Sequence, residues 1–222
     1  MNIAKLITLL ITICMLASCA NVSYHIGSVP SLSVDPKFNP DETYTYYDEE
    51  VSSILEFGNF EIMLTPYNSI QTEGHFELFF VPVEQYGSAL GSVGKNPFKI
   101  SVSVKGQVAT TKFLPFKSTL NSKLLVKEVK WRDPEPSCVY RYTDWSGLEV
   151  GSIHVVKDRL RNQEEKCMKP GWVQYLLIFD EETPEPTTNF NLELAFQDIE
   201  SNQLIYKKVF FSPAKFISTQ TH

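Results

Sequence analysis

The stretch Phe98-Lys99-Ile100-Ser101-Val102-Ser103-Val104-Lys105 sets an apolar side chain at every second position, with lysine or serine between. A period of two sends alternate side chains to opposite faces of an extended chain. The segment therefore predicts a strand with one buried and one wet face. The same alternation recurs over 60–64, ending at Thr65-Pro66, over 138–142, and at Phe190, Leu192, Leu194 and Phe196. Residues 172–179 are apolar at both parities, which predicts a central strand covered on both sides. The prolines of 180–188 end that strand.

Turn signals punctuate these runs. Gln71-Thr72-Glu73-Gly74 predicts a turn before a strand over 75–83. Lys105-Gly106-Gln107 predicts a reversal with 108–113 returning, and Glu200-Ser201-Asn202 a hairpin tip with 204–211 returning. A further strand over 123–131 is stopped by Arg132-Asp133-Pro134-Glu135-Pro136. Helical expectations are few: one short turn at Val51, Ile54 and Leu55, and a charged segment over 155–166. About nine or ten short strands with close-spaced turns predict an all-β, antiparallel β-sandwich with at most one or two short helices. An immunoglobulin-like or transthyretin-like sandwich is the expected form. A true antibody-type domain is excluded, because Cys138 and Cys167 are too close in sequence and Trp145 is misplaced.

The first residues carry another signal. Lys5 is the single charge before an apolar run over 6–16, interrupted only by Thr8 and Thr12. A run of about 11 residues suits a signal-peptide core and falls short of the ~20 that span a bilayer. Leu16-Ala17-Ser18-Cys19 follows, and this resembles the lipobox of bacterial lipoproteins. The resemblance implies that the Cys19 thiol takes a diacylglycerol and that residues 1–18 are then removed. It also implies a mature chain held by two or three acyl chains, palmitate among them, which anchor a protein without spanning the membrane. Ala20 is not the aspartate that retains such proteins at the inner membrane. The implied location is the bacterial cell envelope, at the outer membrane facing the periplasm. The alternative is an ordinary signal peptide with Cys19 incidental. The expected organisation is a signal peptide over 1–18, a lipidated N-terminus and tether over 19–50, and a single β-sandwich domain over 51–222. The tether reading rests on Ser, Pro, Asn and Asp, while Thr43-Tyr44-Thr45-Tyr46-Tyr47 favours a strand and predicts that the tether ends in an edge strand. Thirty flexible residues would reach roughly 30 Å.

Composition narrows the partners. The chain carries 20 Lys and Arg against 26 Asp and Glu, a net charge of −6, and loss of Lys5 with the signal peptide makes it more acidic. Such a chain is a poor match to nucleic acid or to anionic lipid surfaces, so no nucleic acid is expected and the membrane is reached through the lipid.

Of four cysteines, Cys14 leaves with the signal peptide and Cys19 is the lipidation site, which isolates Cys138 and Cys167. An exported chain favours their pairing as a disulfide. Closing a loop of about 30 residues would stabilise by roughly 3–4 kcal/mol. Two buried free thiols or a metal pair are the alternatives, although no histidines stand in finger spacing.

No motif for catalysis, a cofactor or a metal emerges. His25, His75, His154 and His222 form no zinc-binding pair. Gly87-Ser88-Ala89-Leu90-Gly91 lacks the spacing and the strand–helix context of a nucleophile elbow and reads as a loop. Asp180-Glu181-Glu182 with Glu185, and Asp48-Glu49-Glu50, lack the spacing of a calcium loop and read as solvated acids. The excursion between Cys138 and Cys167 is the candidate recognition loop. Its Trp145, Arg159 and Arg161 match interface hot-spot composition. The expected function is a non-catalytic binding or assembly module with an envelope protein partner. An immunity or inhibitor lipoprotein against an envelope-targeting toxin or enzyme is the first alternative, and an envelope hydrolase using carboxylates the second.

Overall fold

In a chain with few helices, alternating apolar side chains leave water when the apolar faces of two sheets meet, and the computed structural model of the chain shows that outcome. It describes residues 19–35, 38–39, 41–45, 54–58, 60–78, 81–106, 111–132, 143–151, 154–156 and 172–221. The first strands are β1 (Cys19–Ser31), β2 (Thr43–Thr45), β3 (Ile54–Glu56), β4 (Phe60–Pro66), β5 (Ile70–Leu78) and β6 (Val81–Tyr86). β7 (Phe98–Gly106), β8 (Thr111–Phe113), β9 (Thr119–Leu120), β10 (Leu124–Leu125) and β11 (Glu128–Arg132) follow. β12 (Ser146–Leu148), β13 (His154–Val156), β14 (Val173–Phe179), β15 (Phe190–Asp198) and β16 (Leu204–Thr221) complete them. The fold is all-β, and among the described residues the only helical segment is a 3-10 turn at Pro115–Lys117.

Among the described residues one sheet of six strands runs β12-β11-β14-β7-β4-β3, and the other, of ten, has the spine β10-β9-β15-β16-β1-β5-β6. Phe60, Ile62 and Leu64 of β4, Ile100, Val102 and Val104 of β7 and Leu177 of β14 meet Leu192, Leu194 and Phe196 of β15 and Val209 and Phe211 of β16. Aromatic rings stitch the sheets at both ends of this core. Phe60 lies 4.4 Å from Phe196, and Phe113 4.9 Å from Tyr175. At the other end Phe98 lies 5.5 Å from Phe190, which stacks on Phe211 at 4.5 Å. Each such side chain contributes about 1.5–3 kcal/mol by leaving water.

The ten-stranded sheet extends beyond this sandwich. β16 pairs with β15 through Phe211 and with β1 from Phe210 to Thr221. Past β15, the short β2 joins β16 in parallel at Lys215–Ile217. β1 is paired on its other side with β5, and β5 with β6, so β1, β16, β5 and β6 form a ribbon. Val209 and Phe211 face the sandwich core, whereas Ala214 and Phe216, of opposite parity, join Val29 and Phe38 in a second cluster. Continuous pairing across this change means that β16 buries one face in the sandwich and the other in the ribbon. Tyr44 packs on the second cluster, its ring 4.7 Å from that of Phe38.

Several expectations are corrected. The tether expected over 19–50 is occupied first by β1, a strand with partners on both sides. Val22, Tyr24 and Ile26 alternate with Ser23, His25 and Gly27, and that pattern overrides a polar composition. Pro30 is tolerated because β1 pairs with β5 only up to Ile26, leaving Pro30 beside β16 alone. The turn expected at Gln71-Thr72-Glu73-Gly74 lies inside β5. A Cβ on Gly74 would lie 2.1 Å from the Tyr86 ring, so the glycine makes room for a cross-strand aromatic and does not turn the chain. β8 does not return along β7; it pairs with β15 and β13 in the opposite sheet. Ile54 and Leu55 lie in β3, and Val155 and Val156 lie in β13, so these residues are strand where helix was expected; Val51 lies outside the described residues. Residues 157–166 lie outside the described residues, as do 1–18 and 46–50.

Candidate functional site

β16 gives the molecule its axis. Its first residue, Leu204, pairs with Gln197 near the β15–β16 hairpin, and its last, Thr221, pairs with Ala20 beside Cys19. Eighteen residues at about 3.3 Å each give a contour of roughly 55–60 Å. The molecule therefore has a ribbon end carrying Cys19 and a sandwich end carrying the β15–β16 hairpin.

The sandwich end also carries the flanks of the excursion expected as a recognition loop. Arg132 closes β11 opposite Gln174, close to where β14 begins. The residues joining these strands therefore leave from the end opposite to Cys19. Of the expected recognition residues, Trp145 is half-buried, with the Arg132 guanidinium 4.3 Å from its ring centroid. Arg159 and Arg161 lie outside the described residues, as do Cys138 and Cys167. The sequence reading missed Arg132 as the cation beside Trp145, having taken it for part of a strand stop.

Cross-strand partners point to one face. Arg132, Gln174, Ser103, Lys105 and Glu61 accordingly share the outer face of the six-stranded sheet. Arg132 Nε donates to Gln174 Oε1 at 2.7 Å. Lys105 Nζ donates to Glu61 Oε2 at 3.3 Å and stands 5.6 Å from the centre of the Trp172 ring. Two indoles, each with a cation over it, therefore stand on one face, Trp145 within the excursion and Trp172 just after it. All four side chains are half-buried. Cation–π pairs of this kind are worth about 0.5–1 kcal/mol where exposed and more when a partner excludes water.

The junction between ribbon and sandwich is polar and tight. Fully buried Asn68 donates through Nδ2 to Ser28 Oγ at 2.8 Å, and Ser28 Oγ lies 3.4 Å from the Pro186 carbonyl oxygen. The segment 91–97 is laced to 180–183: Gly94 N–H donates to Thr183 O at 2.9 Å and Phe98 N–H to Glu181 O at 2.8 Å. The backbone of the acidic run is thus tied down, while Asp180, Glu181, Glu182 and Glu185 stay exposed to solvent as expected. Hydrogen bonds from the Lys127 ammonium at 2.8 Å and the Asn96 amide at 3.2 Å hold the Asp180 carboxyl below its ordinary range. At the far hairpin the backbone N–H and hydroxyl of Ser201, both 2.7 Å from Asp198 Oδ1, do the same for Asp198. In the ribbon, burial pushes the His25 imidazole below its ordinary value. Among the described residues no three His, Cys, Asp or Glu side chains gather as metal ligands.

No family model, no curated protein and no solved structure matches this chain.

Proposed function

We propose that the protein is a lipid-anchored lipoprotein of the bacterial envelope that presents the outer face and loops of its sandwich end to an envelope protein partner. The lipidated Cys19 fixes one end of the molecule to the membrane, and the protein acts by binding, without catalysis. One observation supports this reading: Cys19 and the Trp145–Arg132 and Trp172–Lys105 pairs lie toward opposite ends of the β16 axis. A surface rich in tryptophan and arginine is the composition that dominates binding energy at protein interfaces. Its distance from the membrane end leaves it accessible to a partner.

The test has two readouts on protein made in its own host. Mass analysis of the N-terminal peptide is expected to find an acylated Cys19 with residues 1–18 removed. A photo-crosslinking residue at Val150, 82% exposed beside β12, is expected to give a discrete protein adduct that Trp145→Ala and Trp172→Ala weaken. An unmodified Cys19 overturns the anchor. Adducts indifferent to both tryptophans overturn the binding surface.

A further inference from the structure

The ribbon end has an apolar corner that the binding reading does not use. Cys19 opens β1 opposite Leu78 of β5, and Leu78 is opposite Val81 of β6. Strands lie about 4.8 Å apart, so the backbones of Cys19 and Val81, two strands apart, are separated by roughly 10 Å. Val81 and Val83 are 58% and 57% exposed. β6 ends the sheet order, with β5 as its neighbour. What sets this half-exposed valine pair apart is its place beside Cys19 on an outermost strand, where Pro82 and Glu84 interrupt it as edge strands commonly do against self-association. The sequence joining β5 to β6 is Phe79-Phe80, which lies outside the described residues. Val81 and Val83 alone define the site.

We propose that this corner is a membrane foot: in the lipidated protein Val81 and Val83 rest in the headgroup region of the same bilayer that holds the Cys19 lipid. The inference rests on lipidation of Cys19. Two valines would not hold a free protein to a membrane. Attached to the lipid, the corner meets the surface at the high local concentration that tethering imposes, so a weak apolar contact is populated. The contact is apolar in origin, because the chain is acidic overall and Glu84 flanks the site. A lipid alone is a pivot. A second contact about 10 Å away fixes the ribbon's tilt, so the sandwich end points away from the membrane.

The experiment uses the full mature lipoprotein, acylated in its host and reconstituted in vesicles of phosphatidylethanolamine and phosphatidylglycerol. A nitroxide is placed through Val83→Cys, and for comparison through Val150→Cys beside β12 in the sandwich, with the parent chain labelled in parallel as background. The label at 83 is expected to collide several-fold less with a water-soluble nickel complex, and more with oxygen, than the label at 150. Adding Val81→Asp is expected to return the label at 83 toward aqueous values. Equal nickel accessibility at 83 and 150 overturns the foot. Mass analysis of the N-terminal peptide in the same preparation separates the two claims. An acylated Cys19 with an aqueous label at 83 removes the foot alone. An unacylated Cys19 removes the lipoprotein reading as well.

Discussion

The sandwich and the ribbon are built from the same strands and are held together differently. β16 belongs to both. In the sandwich its Val209 and Phe211 lie under a second sheet within a cluster of phenylalanines, leucines and valines. In the ribbon its Ala214 and Phe216 share, among the described residues, a small buried cluster with Val29 and Phe38, and Tyr44 packs at the side. The ribbon's cohesion therefore comes chiefly from backbone pairing, with β1 hydrogen-bonded to neighbours on both sides. A net backbone hydrogen bond is worth about 0.5–1.5 kcal/mol, whereas a buried phenylalanine removes much more apolar surface from water. The two regions are thus expected to differ in how they fail: the sandwich cooperatively, the ribbon locally.

The largest effects are expected in the sandwich. Phe196→Ala, at a fully buried ring between Phe60 and Phe113, is expected to cost about 3–5 kcal/mol in denaturant unfolding. Val81→Ala in the ribbon is expected to change it by less than ~0.5 kcal/mol. Similar losses at both sites would break the contrast. Next comes the loop between β11 and β14. If Cys138 and Cys167 are paired, Cys138→Ser is expected to cost roughly 3 kcal/mol, and non-reducing mass mapping to find no free thiol in the parent chain.

A smaller effect belongs to the ribbon. Gly74→Ala drives a methyl into the Tyr86 ring, whose hydroxyl reaches Asn21 Oδ1 and the Val22 carbonyl oxygen across the sheet. A loss of about 1–3 kcal/mol is expected, read as faster amide exchange in β5 and β6 with the sandwich unaffected. The double substitution with Tyr86→Ala is expected to cost less than the sum of the single ones. Strict additivity would mean that the ring does not lie on the glycine.

The smallest effect is pH-dependent. Burial favours neutral His25 in the folded chain. Its contribution is full above the ordinary imidazole pKa of about 6.5 and is lost as pH falls through that value toward the lowered folded one. Amide exchange in β1 is expected to quicken modestly over that window, and His25→Gln to flatten the response. Acidification that protects β1 would contradict the assigned cause.

This contrast also explains what was legible in the sequence. The alternations at Phe98–Gly106 and Phe190–Asp198 are clean because each strand has one face in a deep core. The ribbon has no such core, so its strands keep polar residues on both faces and their composition resembles a linker. Val22, Tyr24 and Ile26 carried the true signal, masked by Ser23, Ser28, Pro30 and Ser31. Gly74 read as a turn because glycine ordinarily marks a turn or a close approach, and a single sequence does not tell which. At the candidate surface Trp145 was visible as an unusual residue. Its pairing with Arg132 depends on the register of β11 with β12, which no local pattern encodes.

The central claim is that residues 19–31 form a structural strand where a tether was expected, so that the ribbon sets the geometry between Cys19 and the sandwich end. Native-state amide exchange of the mature protein tests it directly. Amides from Val22 to Ile26, flanked by β16 and β5, are expected to exchange about a hundredfold or more slowly than in an unstructured peptide, a local opening free energy of about 3 kcal/mol. Exchange at unstructured rates across this segment, with β7 and β15 still protected, would contradict the account.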